Sequence, residues 1–166
     1  MTFLSCTFEA HASAILDIYN DAILHSTALY EVQPRAPESM TAWFQKKEAH
    51  GIPVIGAEDE AGRLAGFATY GAFRSGEGYG PTAEHSIYVH KDFRGQGLGR
   101  LLLSRLIDAA AQRQVHSLIG VIDADNAASI ALHEKLGFTH AGTLKEAGFK
   151  FGRWLDVVFY QRILSR

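Results

Sequence analysis

The chain of 166 residues is 47% hydrophobic and 20% charged, the balance of a globular protein, and is long enough to bury a sizeable core as one domain over residues 1–166. A net charge of −2 with no basic block argues against a nucleic-acid partner, and no apolar run approaches a membrane span or a secretory leader. Cys6 is the single cysteine, so no internal disulfide can form, which suits a reducing, cytoplasmic setting.

In chain order, residues 2–8 are predicted as a first strand. A helix is predicted over 10–24, with Ala14, Ile15, Ile18, Tyr19 and Ala22 on its apolar face. Residues 25–37 form a long connection in which Pro34 and Pro37 exclude a regular helix. Such a connection, here carrying Thr27 and Tyr30, is either a functional loop or a plain connector. Ser39 is the expected N-cap of a helix over 40–49 that ends at Gly51. Residues 53–57 and 64–72 are expected to form an antiparallel hairpin turning at Asp59-Glu60-Ala61-Gly62. The stretch 74–81, with Gly76, Gly78, Gly80 and Pro81, is a loop leading into the centre of the chain.

Residues 84–110 organise the rest. They begin as a strand in which Ile87, Tyr88 and Val89 are β-branched or aromatic. Arg94-Gly95-Gln96-Gly97-Leu98-Gly99-Arg100 follows, and then a helix with Leu98, Leu101, Leu102, Leu106, Ala109 and Ala110 on one stripe. Three glycines ahead of a helix expose several backbone N–H groups in one turn. The first helical turn adds unpaired N–H groups and the positive end of its dipole. Together they form a cradle for an anion such as a pyrophosphate, flanked by Arg94 and Arg100. The glycines alone fit an ordinary left-handed turn better. A P-loop would need Lys and Ser/Thr after the last glycine, where Arg100-Leu101 stand. A dinucleotide fingerprint would need Gly at position 100 and an acid closer than Asp123.

Beyond this point residues 115–122 are predicted as a strand parallel to the central one, since the intervening helix is a crossover. A helix over 127–136 ends at Gly137. Residues 139–144 and 155–163 are expected to be closing strands around Gly148–Trp154. The order β α α β β β α β α β β implies an α/β fold built on a mixed sheet with helices on both faces.

Arg94-Gly95-Gln96-Gly97-Leu98-Gly99 resembles the Arg/Gln-x-x-Gly-x-Gly/Ala signature of the GNAT superfamily of CoA-dependent N-acetyltransferases. Residues 126–138, from Asn126-Ala127-Ala128-Ser129 to Glu134-Lys135-Leu136-Gly137-Phe138, resemble the second conserved segment of that superfamily. The resemblance covers essentially the whole chain and implies acetyl-CoA as co-substrate. It also implies a central strand that parts from its parallel neighbour, so that the pantetheine arm enters the gap and pairs with the backbone of Ile87, Tyr88 and Val89. Residues 84–89, 132–138 and 148–156 are similar to the phosphinothricin N-acetyltransferase group, whose relatives also acetylate methionine sulfoximine and methionine sulfone.

Site roles follow from these resemblances and from side-chain chemistry. The group places Glu84 as base toward the substrate amine, directly or through water; a strand-end carboxylate attracts an ammonium and takes its proton if its environment raises its pKa. His133 stands where many superfamily members carry a Tyr that protonates the departing thiolate, and is the second catalytic candidate. A neutral His can accept the amine proton and a protonated one can donate to sulfur, with a packed helix histidine as the plain alternative. Asn126 matches the contact to the pantetheine amide, or is an N-cap, or both. Lys135 is expected near the cofactor phosphates or simply in solvent. Arg74, with Ser75 and Gly76, is suited to clamping a carboxylate through two parallel hydrogen bonds, although a solvated loop arginine fits the sequence as well. Thr27, Tyr30 and Lys150 are candidate donors to oxygens of the substrate side chain, and Phe73, Tyr30 and Trp154 candidate walls of an apolar pocket. His85 and His90, five apart on a strand, point to opposite faces, and His133 lacks a second histidine at position 137, so no metal is expected.

The expectation is therefore direct acetyl transfer from acetyl-CoA to the α-amine of a small amino-acid analogue. Acetylation of a protein N-terminus or a polyamine, and a non-catalytic acyl-CoA sensor, are the alternatives. Oligomeric state is not readable, though members of the group often form homodimers.

Overall fold

In a computed structural model of the protein, residues 1–164 are described. The elements are β1 (Thr2–Ser5), α1 (Phe8–His25), α2 (Ser39–Ala49), β2 (Ile55–Glu58), β3 (Leu64–Ala72), β4 (Thr82–Val89), α3 (Leu98–Gln112), β5 (Ser117–Asp123), α4 (Ala127–Lys135), β6 (Thr139–Lys150) and β7 (Arg153–Ile163). Their order is the predicted one; several boundaries move for local reasons. Thr7 cuts the first strand short because its hydroxyl accepts from the Ala10 N–H and starts α1 at Phe8. Ser39 is not the N-cap of α2. It is the first helical residue, Glu38 occupies the cap without a side-chain bond, and the Ser39 hydroxyl donates back to the Ala36 carbonyl.

The seven strands lie in the order β1-β2-β3-β4-β5-β7-β6, and β4–β5 is the one parallel pair in this sheet. It is parallel because α3 returns the chain to the starting edge. Helices α1 and α2 cover one face, where Ile15, Tyr19 and Met40 pack with Phe67. Helix α3 covers the other, with Leu102, Leu103 and Leu106 against Ala65, Ala68 and Leu118. Close approach of α3 depends on Gly66: a Cβ there would lie 2.8 Å from the Tyr88 carbonyl oxygen and 3.1 Å from Leu102 Cδ1.

The apolar stripe of α3 is displaced from its expected position. Leu103 and Ile107 are buried with Leu98, Leu102, Leu106 and Ala110, whereas Leu101 is 50% exposed. At about 100° per residue the buried arc centres between Leu106 and Ala110, which leaves Leu101 on the far side. The stretch 148–154 is not a connection. Strands β6 and β7 continue through it to a two-residue turn, Phe151-Gly152, with φ of 52° and 74°. Trp154, expected in a pocket wall, is 61% exposed on this hairpin.

Candidate active site

Strands β4 and β5 share three register pairs, Thr82↔Ser117, Ala83↔Leu118 and Glu84↔Ile119, and then part. Beyond Glu84, β4 stays paired to β3 as far as Val89, and β5 stays paired to β7 as far as Asp123. The edges of 85–89 and 120–123 that face each other therefore carry unpaired backbone groups. Two cavities meet at this gap. One, of about 310 Å³, is lined by Thr27, Tyr30, Glu84, Asp123 and Val157. The other, of about 420 Å³, is lined by Val89, Arg94, Gly99, Ala128 and Leu132. Ile87, Tyr88, Asn126, Ser129 and His133 line both.

The second cavity lies beside the glycine turn. Gly95 and Gly97 have φ of 74° and 77°, and Gly97 caps α3 in the left-handed conformation. Helix α3 therefore starts with backbone N–H groups left without an intrahelical acceptor. The exposed Gly95, Gln96 and Arg100 and the buried Leu98 side chain complete the turn. Arg94 is tied down rather than free: its Nε donates to the Val89 carbonyl at 3.2 Å and its Nη2 to Asp21 at 3.2 Å. Asn126 caps α4, accepting from the Ser129 N–H at 3.1 Å. An unpaired strand edge, a row of helix-start N–H groups and a groove between them fit an extended ligand with amides at one end and phosphates at the other.

The first cavity is asymmetric across the sheet. Side chains alternate along β4, so Glu84 stands on the face covered by the 26–30 connection while His85 stands on the face of α3 and α4. His85 meets His133, Nε2 to Nε2 at 2.7 Å, and His133 Nδ1 lies 2.7 Å from the Ser129 carbonyl oxygen. A carbonyl only accepts, so His133 carries its proton on Nδ1, and His85 Nε2–H donates to His133 Nε2. His85 Nδ1 is then a buried acceptor with no hydrogen-bond partner. Burial, and then the neighbouring His133, pull the His85 pKa down from 6.5 to about 3; burial also lowers that of His133. Both rings are neutral near pH 7. Gly120 makes room for them, since a Cβ there would lie 2.9 Å from His133 Nε2 and 3.0 Å from His85 Cε1. Glu84 is half-buried, and burial raises its carboxyl above the ordinary range.

The 26–30 connection is built in. Lys150 is only 3% exposed, and its ammonium donates to the carbonyls of Ser26 at 2.8 Å and Leu29 at 2.7 Å. Its charge holds the connection in place, so it is not the free donor into the cavity expected from sequence. Tyr30 packs its ring on Gly148, where a Cβ would lie 2.5 Å from it, and its hydroxyl donates to the Asp156 carbonyl at 3.3 Å. Further along, Asn20 bonds both the N–H and the carbonyl of Arg35.

Thr27, Tyr30, Glu84, Ile87, Tyr88, Asn126 and His133 are thus gathered around one gap, with Val89, Arg94 and Gly99 beside it. Arg74, Ser75 and Gly76 are exposed and line neither cavity; Arg74 lies over the Tyr79 ring at 5.8 Å. Lys135 is exposed and lines neither. Sequence reasoning missed His85, whose partner is 48 residues away, and passed over Asp123 as the end of a strand. Among the described residues no three of His, Cys, Asp and Glu come together as a metal site, and no helix is long and apolar enough to cross a membrane.

Residues 14–138 match the model of the acetyltransferase (GNAT) family. The chain is similar to an L-methionine sulfoximine/L-methionine sulfone acetyltransferase of Pseudomonas aeruginosa, at 44% identity over 92% of this chain and 88% of that one. It is also similar to a phosphinothricin N-acetyltransferase of Alcaligenes faecalis, at 40% identity over 92% of this chain and 77% of the other. Among solved structures, a Salmonella typhimurium acetyltransferase determined with its cofactor acetyl-CoA superposes with a TM-score of 0.96 at 42% identity, covering 100% of this chain and 95% of that one. Parted strands, glycine turn and sequence agree: this chain belongs to the GNAT family of acetyltransferases, enzymes whose co-substrate is acetyl-CoA.

Proposed function

We propose that the protein acetylates the α-amine of a small amino-acid analogue with a polar side chain, of the kind represented by methionine sulfoximine, methionine sulfone and phosphinothricin. The observation that carries this reading is the parting of β4 and β5 between the glycine turn and Glu84. Similarity to the Pseudomonas and Alcaligenes enzymes supports the substrate class. Acetyl-CoA supplies the acetyl group as a thioester. The backbone of Ile87, Tyr88 and Val89 and the Asn126 side chain hold the pantetheine arm. The N–H groups of Gly95 to Arg100, with Arg94 and Lys135, hold the phosphates. Glu84, raised in pKa by burial, draws the acceptor ammonium in and removes its proton, directly or through a water. Arg74, with Ser75 and Gly76, is assigned the acceptor carboxylate from the exposed loop ahead of β4, and Thr27 and Tyr30 contact the acceptor side chain.

His133 has a narrower role than a free acid–base group. Its Nε2 already accepts from His85, and its lowered pKa keeps it neutral. We assign it to positioning the gap: its Nδ1–H is spent on the Ser129 carbonyl and its Nε2 on the His85 N–H. Direct transfer is supported by Cys6, whose burial, reinforced by Glu58, pushes its thiol up to about 12. The whole chain is read as one catalytic domain, cytoplasmic and homodimeric. The β6–β7 hairpin carries exposed Phe149 and Phe151, with Trp154 paired to Phe149, an apolar face suited to a second copy.

Thiol release from acetyl-CoA, measured across methionine sulfoximine, methionine sulfone, phosphinothricin, methionine, a dipeptide and a polyamine, tests the reading. The three analogues should be turned over well above methionine, which leaves the polar groups of the cavity unpaired. Preference for the dipeptide or the polyamine over all three would overturn it.

A further inference from the structure

Asp123 closes β5 on the same face as Val121 and lines the first cavity, yet it is only 6% exposed. One carboxylate oxygen, Oδ1, accepts from the Asp125 N–H at 2.9 Å and so helps turn the chain into α4. The other, Oδ2, is buried with no hydrogen-bond partner. The cations at this end of the sheet are engaged elsewhere: Arg153 with Asp125 at 3.6 Å, Lys145 with Asp156 at 3.2 Å, and Lys150 with two carbonyls. Among the described residues no lysine or arginine lines the cavity. A buried carboxylate oxygen without a donor is costly, and a ligand that brings one removes that cost.

Asp123 does not face the reacting amine. Glu84 is level with Ile119, and Asp123 lies four residues further along β5, about 13 Å at 3.3 Å per residue. The two carboxylates therefore address opposite ends of an acceptor. An amino acid with a four- or five-atom side chain, plus a hydrogen bond at each end, has that length.

We propose that Asp123 is a specificity-determining residue that reads the acceptor's side chain, its free Oδ2 accepting from an N–H there. This rests on the amino-acid reading given above. The cavity then ranks the analogues by one atom. Methionine sulfoximine carries an N–H on sulfur. Methionine sulfone has the same shape and charge but an oxygen in that place, so it leaves Oδ2 unpaired. Phosphinothricin presents an anion to the carboxylate and is disfavoured further. The order of preference is sulfoximine, sulfone, phosphinothricin.

The test compares kcat/KM for the three acceptors in the wild type and in Asp123→Asn. The asparagine carbonyl can still accept from Asp125, while its amide donates where Oδ2 accepted. In the wild type, sulfoximine should exceed sulfone by about tenfold or more, the range of a charge-assisted hydrogen bond. In Asp123→Asn that ratio should fall to about one or below, and phosphinothricin should gain most. Calorimetric binding of sulfoximine and sulfone to the wild type gives the same ranking without relying on the variant's folding. A wild-type ratio at or below one, or an unchanged ratio in a folded Asp123→Asn, overturns the role of Asp123 while sparing the amino-acid reading. Acetylation of some other amine with none of the three analogues accepted overturns both.

Discussion

Glu84 and the histidine pair titrate in opposite senses. Burial raises the Glu84 carboxyl, so its basic form accumulates only as pH rises through that raised value, and turnover should fall on the acid side. Glu84→Gln should lower kcat by about 10²–10⁴ and remove that acidic limb from the pH–rate profile, the scale of a lost general base. An unchanged limb would assign it to another group. For His85 the native pKa is about 3 against an ordinary 6.5. The unfolded chain therefore binds more protons in that window. The stability this histidine contributes is fully present above about pH 6.5 and is lost progressively toward about pH 3. Denaturant unfolding at several pH values should show the loss, and His85→Leu should flatten it. The role assigned to Glu84 came only from the family resemblance, because one carboxylate at a strand end has no pattern of its own. His85 was not legible at all: its role depends on a contact across 48 residues and on the open space above Gly120.

Among the elements, the glycine turn and the 26–30 connection make separable contributions. Gly97 holds a left-handed backbone, so Gly97→Val should cost about 1–2 kcal/mol of local strain and distort the row of N–H groups. The expected outcome is loss of CoA binding by calorimetry with most of the fold kept; unchanged affinity would remove the turn from the cofactor site. Lys150→Met leaves the carbonyls of Ser26 and Leu29 unpaired at about 1–3 kcal/mol each where they stay buried. Acceptor KM should rise while CoA affinity holds, because the connection borders the first cavity more than the second. Arg74→Ala should likewise raise acceptor KM if Arg74 binds the carboxylate, and an unaffected KM would leave it a surface residue. Element order could be read from period and punctuation, and Gly51 and Gly137 mark helix ends as expected. Boundaries failed where one residue serves two elements, as Thr7 does. Glycine also misled: Gly148 and Gly152 suggested a connection, but Gly148 is a strand position cleared for the Tyr30 ring. A lysine in the sequence gives no sign that it will be buried against two carbonyls.

For the molecule as a whole, the reading of direct transfer predicts that Cys6→Ser keeps full activity. The thiol sits against Gly56, where a Cβ would meet Sγ at 2.5 Å, on the first strands of the sheet. A folded but inactive Cys6→Ser, or a trapped acetyl-enzyme, would overturn it. The homodimer reading predicts that Phe149→Lys with Trp154→Lys shifts the sedimentation coefficient to that of a monomer. A wild type already monomeric at micromolar concentration would refute it. The mixed sheet and its parallel pair were legible from the crossover alone. The pairing that stops after Glu84 was expected only from the resemblance, since nothing in the residues 85–89 or 120–123 forbids them to pair.

That early stop makes the sheet two half-sheets joined along three register pairs. The first half is β1 to β4 and the second is β5 to β7, each with its own hydrogen-bond ladder. A ligand lying in the gap completes the ladder between them and acts as a reversible eighth strand. Amide protons of 85–89 that face the gap should then exchange rapidly in the free enzyme and slowly when acetyl-CoA is bound, while amides facing β3 stay protected in both. Because the ligand binds only the folded form, the thermal midpoint should climb with the logarithm of its concentration. With the co-substrate bound as proposed, the sheet gains a structural part that leaves with every turnover.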